Sequence, residues 1–228
     1  MQRLRVTFAR GDEMKYITHL DQMRFWERAL RRGGVPVSYS EGFSPHAQIA
    51  LAAPLAVGTT SEGELMDVFL EEPLSPRELM ERLAPQLPPA MSVRSVEEVG
   101  MALPALQADV RFAEYDVDFP ADACGDAEDA VARFLAAASV PWQHMREDEV
   151  RQYDIRTLVD DIRVTRPDPA TLRLQMRLRN DNTGSGRPDQ LAAALGFGVP
   201  VRIHRTRLVL AGTSPARDAW RKRGRFAG

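Results

Sequence analysis

Apolar and polar residues alternate along the start of the chain, and a helical period follows. Residues 3–9 read Arg-Leu-Arg-Val-Thr-Phe-Ala, which predicts a half-buried β-strand. Thr18 is a good N-cap and Asp21 follows three residues later, as in a capping box with Asp in place of Glu. A helix is therefore predicted over 19–32, ending at a Gly-Gly pair. Further elements are predicted as strands near 35–39, 48–53, 64–70 and 92–99 and a helix over 76–83.

The second half of the chain repeats this order of elements. The pattern predicts strands over 110–119, 153–164, 171–179 and 201–210 and helices over 127–138 and 188–195. We therefore predict an α+β protein of two ferredoxin-like βαββαβ halves packed together, over 1–99 and 110–212. Residues 100–109 are predicted to be a linker, and 213–228 a basic tail that is flexible or a short helix. Because the sequence itself does not visibly repeat, one continuous α+β domain without duplication is the alternative.

Composition excludes several classes of protein. The 228 residues are 44% hydrophobic and 27% charged with a net charge of −2, so any site for a polyanion must be a local patch. A single cysteine, Cys124, excludes an intrachain disulfide framework and a cysteine-ligated iron–sulfur cluster held within the chain. No apolar run approaches the length of a membrane span, and the N-terminus has no apolar signal core. We therefore expect a cytoplasmic protein with no membrane partner.

A cationic face is predicted on the first helix. Its arginines recur at i, i+4 and i+7 or i+8 and so share one face: Arg24, Arg28, Arg31 and Arg32. A separate apolar stripe is predicted from Leu20, Met23, Trp26 and Leu30. The arginine face suggests an anion site. The alternative is an ordinary solvated face, since Glu27 lies four residues before Arg31 and can pair with it.

A loop that follows the helix adds candidate chemistry. It reads Gly-Phe-Ser-Pro-His over 42–46 and places His46 between turn-forming residues, where functional side chains are common. His46 and, less favourably, His19 are the acid–base candidates, because an imidazole titrates near neutrality. Tyr16, Tyr39 and Phe43 can stack on bases while the arginines hold phosphates, a combination typical of single-stranded RNA sites.

One stretch of sequence resembles a known family. The residues that carry the resemblance are KYITHLD over 15–21, Met23-Arg24, Arg28-Ala29, Arg31-Arg32, Pro36, Tyr39-Ser40, Gly42-Phe43, Pro45-His46, Pro54-Leu55 and Gly58. They resemble the radical-SAM-associated bacterial family of uncharacterised function, whose members occur alone or fused behind a B12-binding radical SAM enzyme. The family pattern has Asn before the loop proline and Pro plus a basic residue after the histidine. This chain has Ser44, Ala47 and Gln48 there, so one cationic contact of that pattern is missing.

These observations lead to three functional hypotheses. The first is an accessory RNA-binding protein that presents RNA to a separate radical SAM enzyme, a partner implied by the resemblance. The second is a metal-independent endoribonuclease in which His46 or His19 acts as general base. The third is a protein-interaction adaptor with no nucleic acid ligand. We expect no cofactor and no metal, because His19, Asp21 and His46 lack the spacing of a zinc site.

Overall fold

A large mixed sheet and five helices make up the structure, a computed structural model that describes residues 1–123, 125–146 and 149–213. The strands are β1 (Gln2–Arg10), β2 (Ile49–Leu51), β3 (Thr59–Leu70), β4 (Met91–Glu98), β5 (Val110–Pro120), β6 (Pro141–Arg146), β7 (Glu149–Asp154), β8 (Val159–Asp168), β9 (Thr171–Asp181), β10 (Gly184–Ser185) and β11 (Arg202–Leu210). The helices are α1 (His19–Arg32), α2 (Pro76–Leu83), α3 (Leu106–Asp109), α4 (Ala127–Ala136) and α5 (Pro188–Ala194).

Most strands belong to one sheet. Its order is β10-β9-β5-β11-β3-β1-β4, with β2 also paired to β3 and β8 also paired to β9. β11 runs parallel to β3, whereas the other strand pairs in the sheet are antiparallel. β6 and β7 form a separate hairpin. The protein is thus a mixed α/β protein in which one sheet runs through both halves of the chain.

β1 is buried on both faces, because the two faces meet different neighbours. Three fully buried side chains lie in a core shared with α1 and α2: Leu4, Val6 and Phe8. On the opposite face Arg3 and Arg5 converge on the fully buried carboxylate of Asp67 in β3, each with its Nε 2.8 Å from a carboxylate oxygen. Buried charges persist when they are paired and hydrogen-bonded, and this triad meets that requirement.

α1 has the predicted boundaries because its ends are capped. The Thr18 hydroxyl accepts a hydrogen bond from the Asp21 backbone N–H at 3.2 Å and donates one to the Asp21 carboxylate at 2.7 Å. Gly33 ends the helix, and its N–H donates to the carbonyl of Ala29 at 2.9 Å. The packing of Trp26, Ala29 and Leu30 in the core determines which side chains of the helix face solvent.

The predicted apolar stripe of α1 is wrong at one position. Leu20 is 57% exposed, whereas Gln22, Trp26 and Leu30 are buried. Leu20 lies one helical turn before Arg24 and therefore on the arginine side of the helix, where no core residue reaches it. Gln22 is buried because its side-chain carbonyl accepts a hydrogen bond from a buried arginine of β1, Arg10, at 3.0 Å.

The second half has its own core. β9 and β11 flank β5, and β8 pairs with β9. The buried side chains between this part of the sheet and α4 and α5 include Val117, Phe119, Phe134, Leu174 and Leu191. Asp126 accepts the N–H of Asp129 at 2.9 Å and so begins α4 as predicted. Two cores therefore lie along one continuous sheet.

The two halves meet where β11 pairs with the first residues of β3. Ile203, His204 and Arg205 lie opposite Thr59, Thr60 and Ser61 in parallel register. A Cβ added at Gly63 would lie 2.6 Å from the carbonyl oxygen of Thr206, so only glycine allows the two backbones to approach this closely.

A cluster of buried charge lies at the same junction. Arg205 donates from Nε to Glu64 at 2.7 Å, forms a second bond to that carboxylate from Nη2, and also reaches the carbonyls of Ala53 and Pro54. Arg10 is fully buried and bonds to Gln22, Ala56 and Thr59, none of them a carboxylate. Burial lowers the pKa of Arg10 to about 10. Two arginines and one glutamate give the cluster a net charge of one positive unit.

Several elements differ from the sequence predictions. The strand predicted near 35–39 is reduced to isolated bridges at Val37 and Tyr39, and that predicted near 153–164 is divided by a 3-10 turn, Ile155–Leu158. The hairpin of β6 and β7 was not predicted. The predicted linker contains α3, whose Leu106 is 1% exposed. The remaining sequence features, Cys124 and the basic tail over 214–228, lie outside the described residues. Within the described ranges, no helix is long and apolar enough to cross a membrane.

Candidate anion site on helix α1

The arginine face of α1 borders a concave surface that we call the loop hollow. Its volume is 270 Å³, and its lining residues are Arg24, Glu27, Arg28 and Arg31 of α1 and Tyr39, Pro45, His46 and Ala47 of the following loop. The structure therefore brings together three of the four predicted arginines with His46, although 15 residues separate Arg31 from His46 in the sequence.

Two hydrogen bonds between Ser40 and His46 close the loop on itself. The Ser40 hydroxyl accepts the N–H of His46 at 3.0 Å, and the His46 carbonyl accepts the N–H of Ser40 at 2.9 Å. Tyr39 and Ala47 form a bridge just outside this pair. Gly42 has a φ of 120°, which favours glycine and turns the chain at the tip. The backbone is thus fixed at Ser40 and at His46, the two ends of the loop.

The loop hollow carries an excess of positive charge. Its three arginines and one glutamate leave two positive charges when His46 is neutral. Among the described residues, neither Arg28 nor Arg31 has a salt bridge or a side-chain hydrogen bond. Arg24 has only a distant pair with Asp21, at 3.9 Å, and half-exposed pairs of this kind contribute little stability. These guanidinium groups remain available to an anionic ligand.

Arg32 lies on the flank of the arginine face that is turned away from the loop hollow. Its Nε donates to the side-chain carbonyl of Gln86 at 3.2 Å, and its Nη2 donates to the Gln86 backbone carbonyl at 2.9 Å. It therefore does not line the loop hollow. Tyr16 and Phe43 are exposed, at 70% and 111%, and line neither this hollow nor the next one. The aromatic residue that does line the loop hollow is Tyr39.

A second hollow, which we call the flank hollow, lies beside Arg32. Its volume is 530 Å³, and its lining residues are Met14, Asp21, Arg24, Phe25, Arg28, Arg32, Pro85, Gln86, Leu87 and Pro88. Arg24 and Arg28 border both hollows and form a ridge between them. Sequence reasoning missed this site, because residues 85–88 lie far along the chain. Its helical side was visible as positions 21, 25, 28 and 32, which share a face at helical spacing.

The other histidines lie away from the arginines. His19 is exposed and lines neither hollow, and His144 packs edge-on against Tyr153 with ring centroids 5.7 Å apart. His204 lies at the junction of the halves, with Nδ1 2.7 Å from the Thr60 hydroxyl. Burial, followed by the nearby Arg202 cation, lowers the pKa of His204. His46 is therefore the histidine positioned to contact a ligand on α1.

The part of the chain that the structure describes contains no preformed group of metal ligands. No three His, Cys, Asp or Glu residues there lie close enough together to hold a metal ion. His19, Asp21 and His46 do not form such a set. A larger hollow of 690 Å³ beside the β6–β7 hairpin is lined by Trp142, Tyr153 and neighbouring polar residues, without an arginine or lysine. The cationic chemistry of the described hollows therefore belongs to α1.

Fold and site together define a mixed α/β protein with an exposed cationic helix between two hollows. The chain belongs to the bacterial family described as "uncharacterized protein conserved in bacteria" (DUF2344), whose model matches residues 3–188. No curated protein matches the sequence.

Three solved structures show distant similarity. They are a Cbf5-Nop10-Gar1 complex, an H/ACA RNP bound to a substrate RNA containing 2'-deoxyuridine, and an archaeal box H/ACA sRNP Nop10-Cbf5 complex. Their TM-scores are 0.44, 0.43 and 0.41, with 12%, 10% and 12% sequence identity. Each match covers 89% of this chain and 48%, 47% and 47% of the matched chain, so this chain spans about half their length. Similarity at this level assigns neither fold nor function.

Proposed function

We propose that the protein binds RNA through the arginine ridge of α1 and presents it to a separate radical SAM enzyme, without catalysing a reaction itself. The loop hollow is the observation that supports RNA binding. Three arginines, two of them without an ionic partner in the described chain, converge there with Tyr39 and His46. Guanidinium groups bind phosphates, and a neighbouring aromatic ring supports an unpaired base. The overall charge of −2 makes this a localised site.

Removal of the ridge charges together with that of Arg31 tests this proposal. Replacing Arg24, Arg28 and Arg31 together with Ala should weaken binding of single-stranded RNA. The salt dependence, as the slope of log K against log salt, should become shallower by up to about 2, since each phosphate contact in a single strand contributes about 0.7. Fluorescence anisotropy over a series of salt concentrations measures both quantities.

A matched control separates the site from the total charge. Arg133, Arg151 and Arg187 are exposed, lie in the second half, and their replacement by Ala changes the net charge by the same three units. This control should bind RNA like the wild-type protein. Equal losses in both triple variants, or no loss in a folded ridge variant, would remove α1 as the site.

The radical SAM partner is the part of the proposal that rests on resemblance. The residues that carry the family resemblance lie mostly in the segment that forms α1 and its loop, which is also the segment of the proposed RNA site. We expect the protein to form a stable complex with a radical SAM enzyme of the same bacterium in size-exclusion chromatography. If the protein bound RNA but formed no such complex, the proposed RNA site would stand, and the role of presenting RNA to that enzyme would be rejected.

Two other functions remain as competitors. An endoribonuclease is favoured by the position of His46, the histidine that borders the arginines, where a general base and charge-stabilising groups would be needed. An adaptor is favoured by the same positive charge, which also suits an acidic protein surface. The adaptor would be favoured if polyglutamate bound as tightly as RNA and if its binding also depended on Arg24, Arg28 and Arg31.

For the fold, we propose that each half is a ferredoxin-like unit, over 1–99 and 110–212. The strand order supports this assignment. In the first half β2, β3, β1 and β4 lie side by side as antiparallel neighbours. In the second half β8, β9, β5 and β11 repeat that arrangement. Apart from the β6–β7 hairpin and the short β10 inserted in the second half, each half runs in the order βαββαβ, and its strand order is the one expected for a ferredoxin-like unit.

A further inference from the structure

The flank hollow differs in chemistry from the loop hollow. Its wall is largely apolar, formed by Met14, Phe25, Leu87 and two prolines, whereas charged residues dominate the loop hollow. Phe25 packs edge-on against Trp26, with ring centroids 5.4 Å apart and planes at 74°. Because Trp26 is fully buried, this contact connects Phe25 to the core. The volume of 530 Å³ lies within the range of about 300–1,000 Å³ typical of small-molecule sites.

Polar groups at the rim of the flank hollow have unused hydrogen-bonding capacity. Gln86 accepts from Arg32 through its side-chain and backbone carbonyls, and its amide NH₂ group has no partner among the described residues. Asp21 accepts the Thr18 hydroxyl with one carboxylate oxygen and lies 3.9 Å from Arg24 with the other. An amide donor and a carboxylate acceptor at the rim of an apolar hollow match the mixed donor and acceptor edge of a nucleobase.

The ridge connects the two hollows. Arg24 and Arg28 are one helical turn apart and border both hollows, so a strand whose phosphates contact them has the flank hollow on one side and the loop hollow on the other. An extended backbone on these arginines can therefore place a base in the flank hollow without leaving the cationic surface.

We propose that the flank hollow takes one unstacked base of the bound RNA strand, held against Phe25 and hydrogen-bonded at its edge by Gln86 and Asp21. The inference rests on the proposed RNA binding and adds that the strand crosses α1. It identifies the ligand as single-stranded RNA or an unpaired nucleotide, because a paired and stacked base cannot enter the hollow.

Filling the hollow tests the inference. Gln86→Trp adds bulk to the hollow and changes no charge, so RNA binding should weaken about tenfold, as expected for the loss of one base–aromatic contact. The salt slope should stay that of the wild type because the phosphate contacts remain. Gln143→Trp is the matched control, since Gln143 is exposed on the β6–β7 hairpin, and it should bind normally.

Abasic RNA gives a second readout that needs no variant. A short single-stranded RNA and copies with one abasic position each are compared by anisotropy. One position should weaken binding to the wild type about tenfold and leave binding to Gln86→Trp nearly unchanged. Salt-dependent binding with no sensitive position, or a folded Gln86→Trp that binds like the wild type, overturns the base site and leaves the ridge intact. Absence of any RNA binding rejects the proposed function instead.

Discussion

At the scale of single residues, His46 decides between a binding role and a catalytic one. It borders the loop hollow with three arginines, and its backbone is held by Ser40 on both its N–H and its carbonyl. Its side chain borders the arginines, where it can contact an anion or transfer a proton. The two roles differ in what they require of the imidazole.

Replacing His46 with Asn separates these roles. Asn keeps a hydrogen-bond donor and loses the titrating group, so we expect RNA binding to weaken by about 1 kcal/mol or less. We also expect no RNA cleavage by the wild-type protein in the presence of a chelator. Binding is measured by anisotropy and cleavage on end-labelled RNA. His19→Asn is the control, because His19 is exposed and borders neither hollow.

A nuclease would give the opposite result. Chelator-resistant cleavage that leaves a 2′,3′-cyclic phosphate, and that slows by about 10² to 10⁴ in His46→Asn with binding intact, would identify His46 as a proton-transfer group. That outcome would replace the accessory role with an enzymatic one.

Local spacing indicated much of the candidate site, and tertiary packing determined the rest. The i, i+4, i+7 pattern of Arg24, Arg28 and Arg31 was enough to place them on one face. Arg32, one residue further, belongs to the flank hollow because Gln86 binds it there. The spacing could place Arg32 with Asp21 and Phe25, but it could not show that residues 85–88 lie opposite them, since those residues reach the helix only through the packing of the folded chain. The predicted contacts of Tyr16 and Phe43 with RNA stay predictions.

At the scale of elements, the N-cap of α1 links stability to the site. The Thr18 hydroxyl satisfies the N–H of Asp21, and Asp21 in turn borders the flank hollow. Thr18→Ala removes this cap and should cost about 1 kcal/mol of unfolding free energy. This corresponds to a fall in Tm of about 2–4 °C for a protein of this size, measured by calorimetry.

The conservative change isolates the hydroxyl. Thr18→Ser keeps the capping group and should retain nearly the wild-type Tm. RNA binding through Arg24 and Arg28 should change little in either variant, because both lie beyond the first turn. A Tm of Thr18→Ala equal to that of the wild type would show that other contacts fix the start of α1.

Elements with strong local signals were predictable from the sequence, and those that depend on distant partners were not. α1 and α2 have the predicted bounds because Thr18 and Ser75 cap them. β6 begins with a proline and has six residues, so its short pattern carries little strand signal, and among the described strands it pairs with β7 alone. The segment near Val37 forms only a bridge to Leu70, at the end of β3, next to residues 66–68 that pair with β2.

At the scale of the whole molecule, the buried charges at the junction hold the two halves in register. Glu64 lies in β3 of the first half, and Arg205 lies in β11 of the second. Arg10 adds a second buried cation that has no carboxylate of its own within the described chain. Glu64 thus balances a cluster that contains two positive charges.

This balance predicts an order of stability. Glu64→Gln leaves Arg10 and Arg205 both buried without a carboxylate and should cost about 3–5 kcal/mol. Arg205→Met should cost less, because Glu64 then remains to offset Arg10. Urea unfolding followed by fluorescence measures both variants. A greater loss in Arg205→Met than in Glu64→Gln would show that the Arg205 bonds to Ala53 and Pro54 outweigh the charge balance.

The position of β11 has a consequence for how the chain is made. Among the described residues it is the last strand of the sheet in sequence, yet it lies in the middle, between β5 and β3. While the ribosome synthesises the chain, β5 and the start of β3 each present an unpaired edge until residues 202–210 emerge. The sheet therefore closes only after nearly all the described chain has been translated, and a product truncated before residue 202 would expose both edges to other polypeptides.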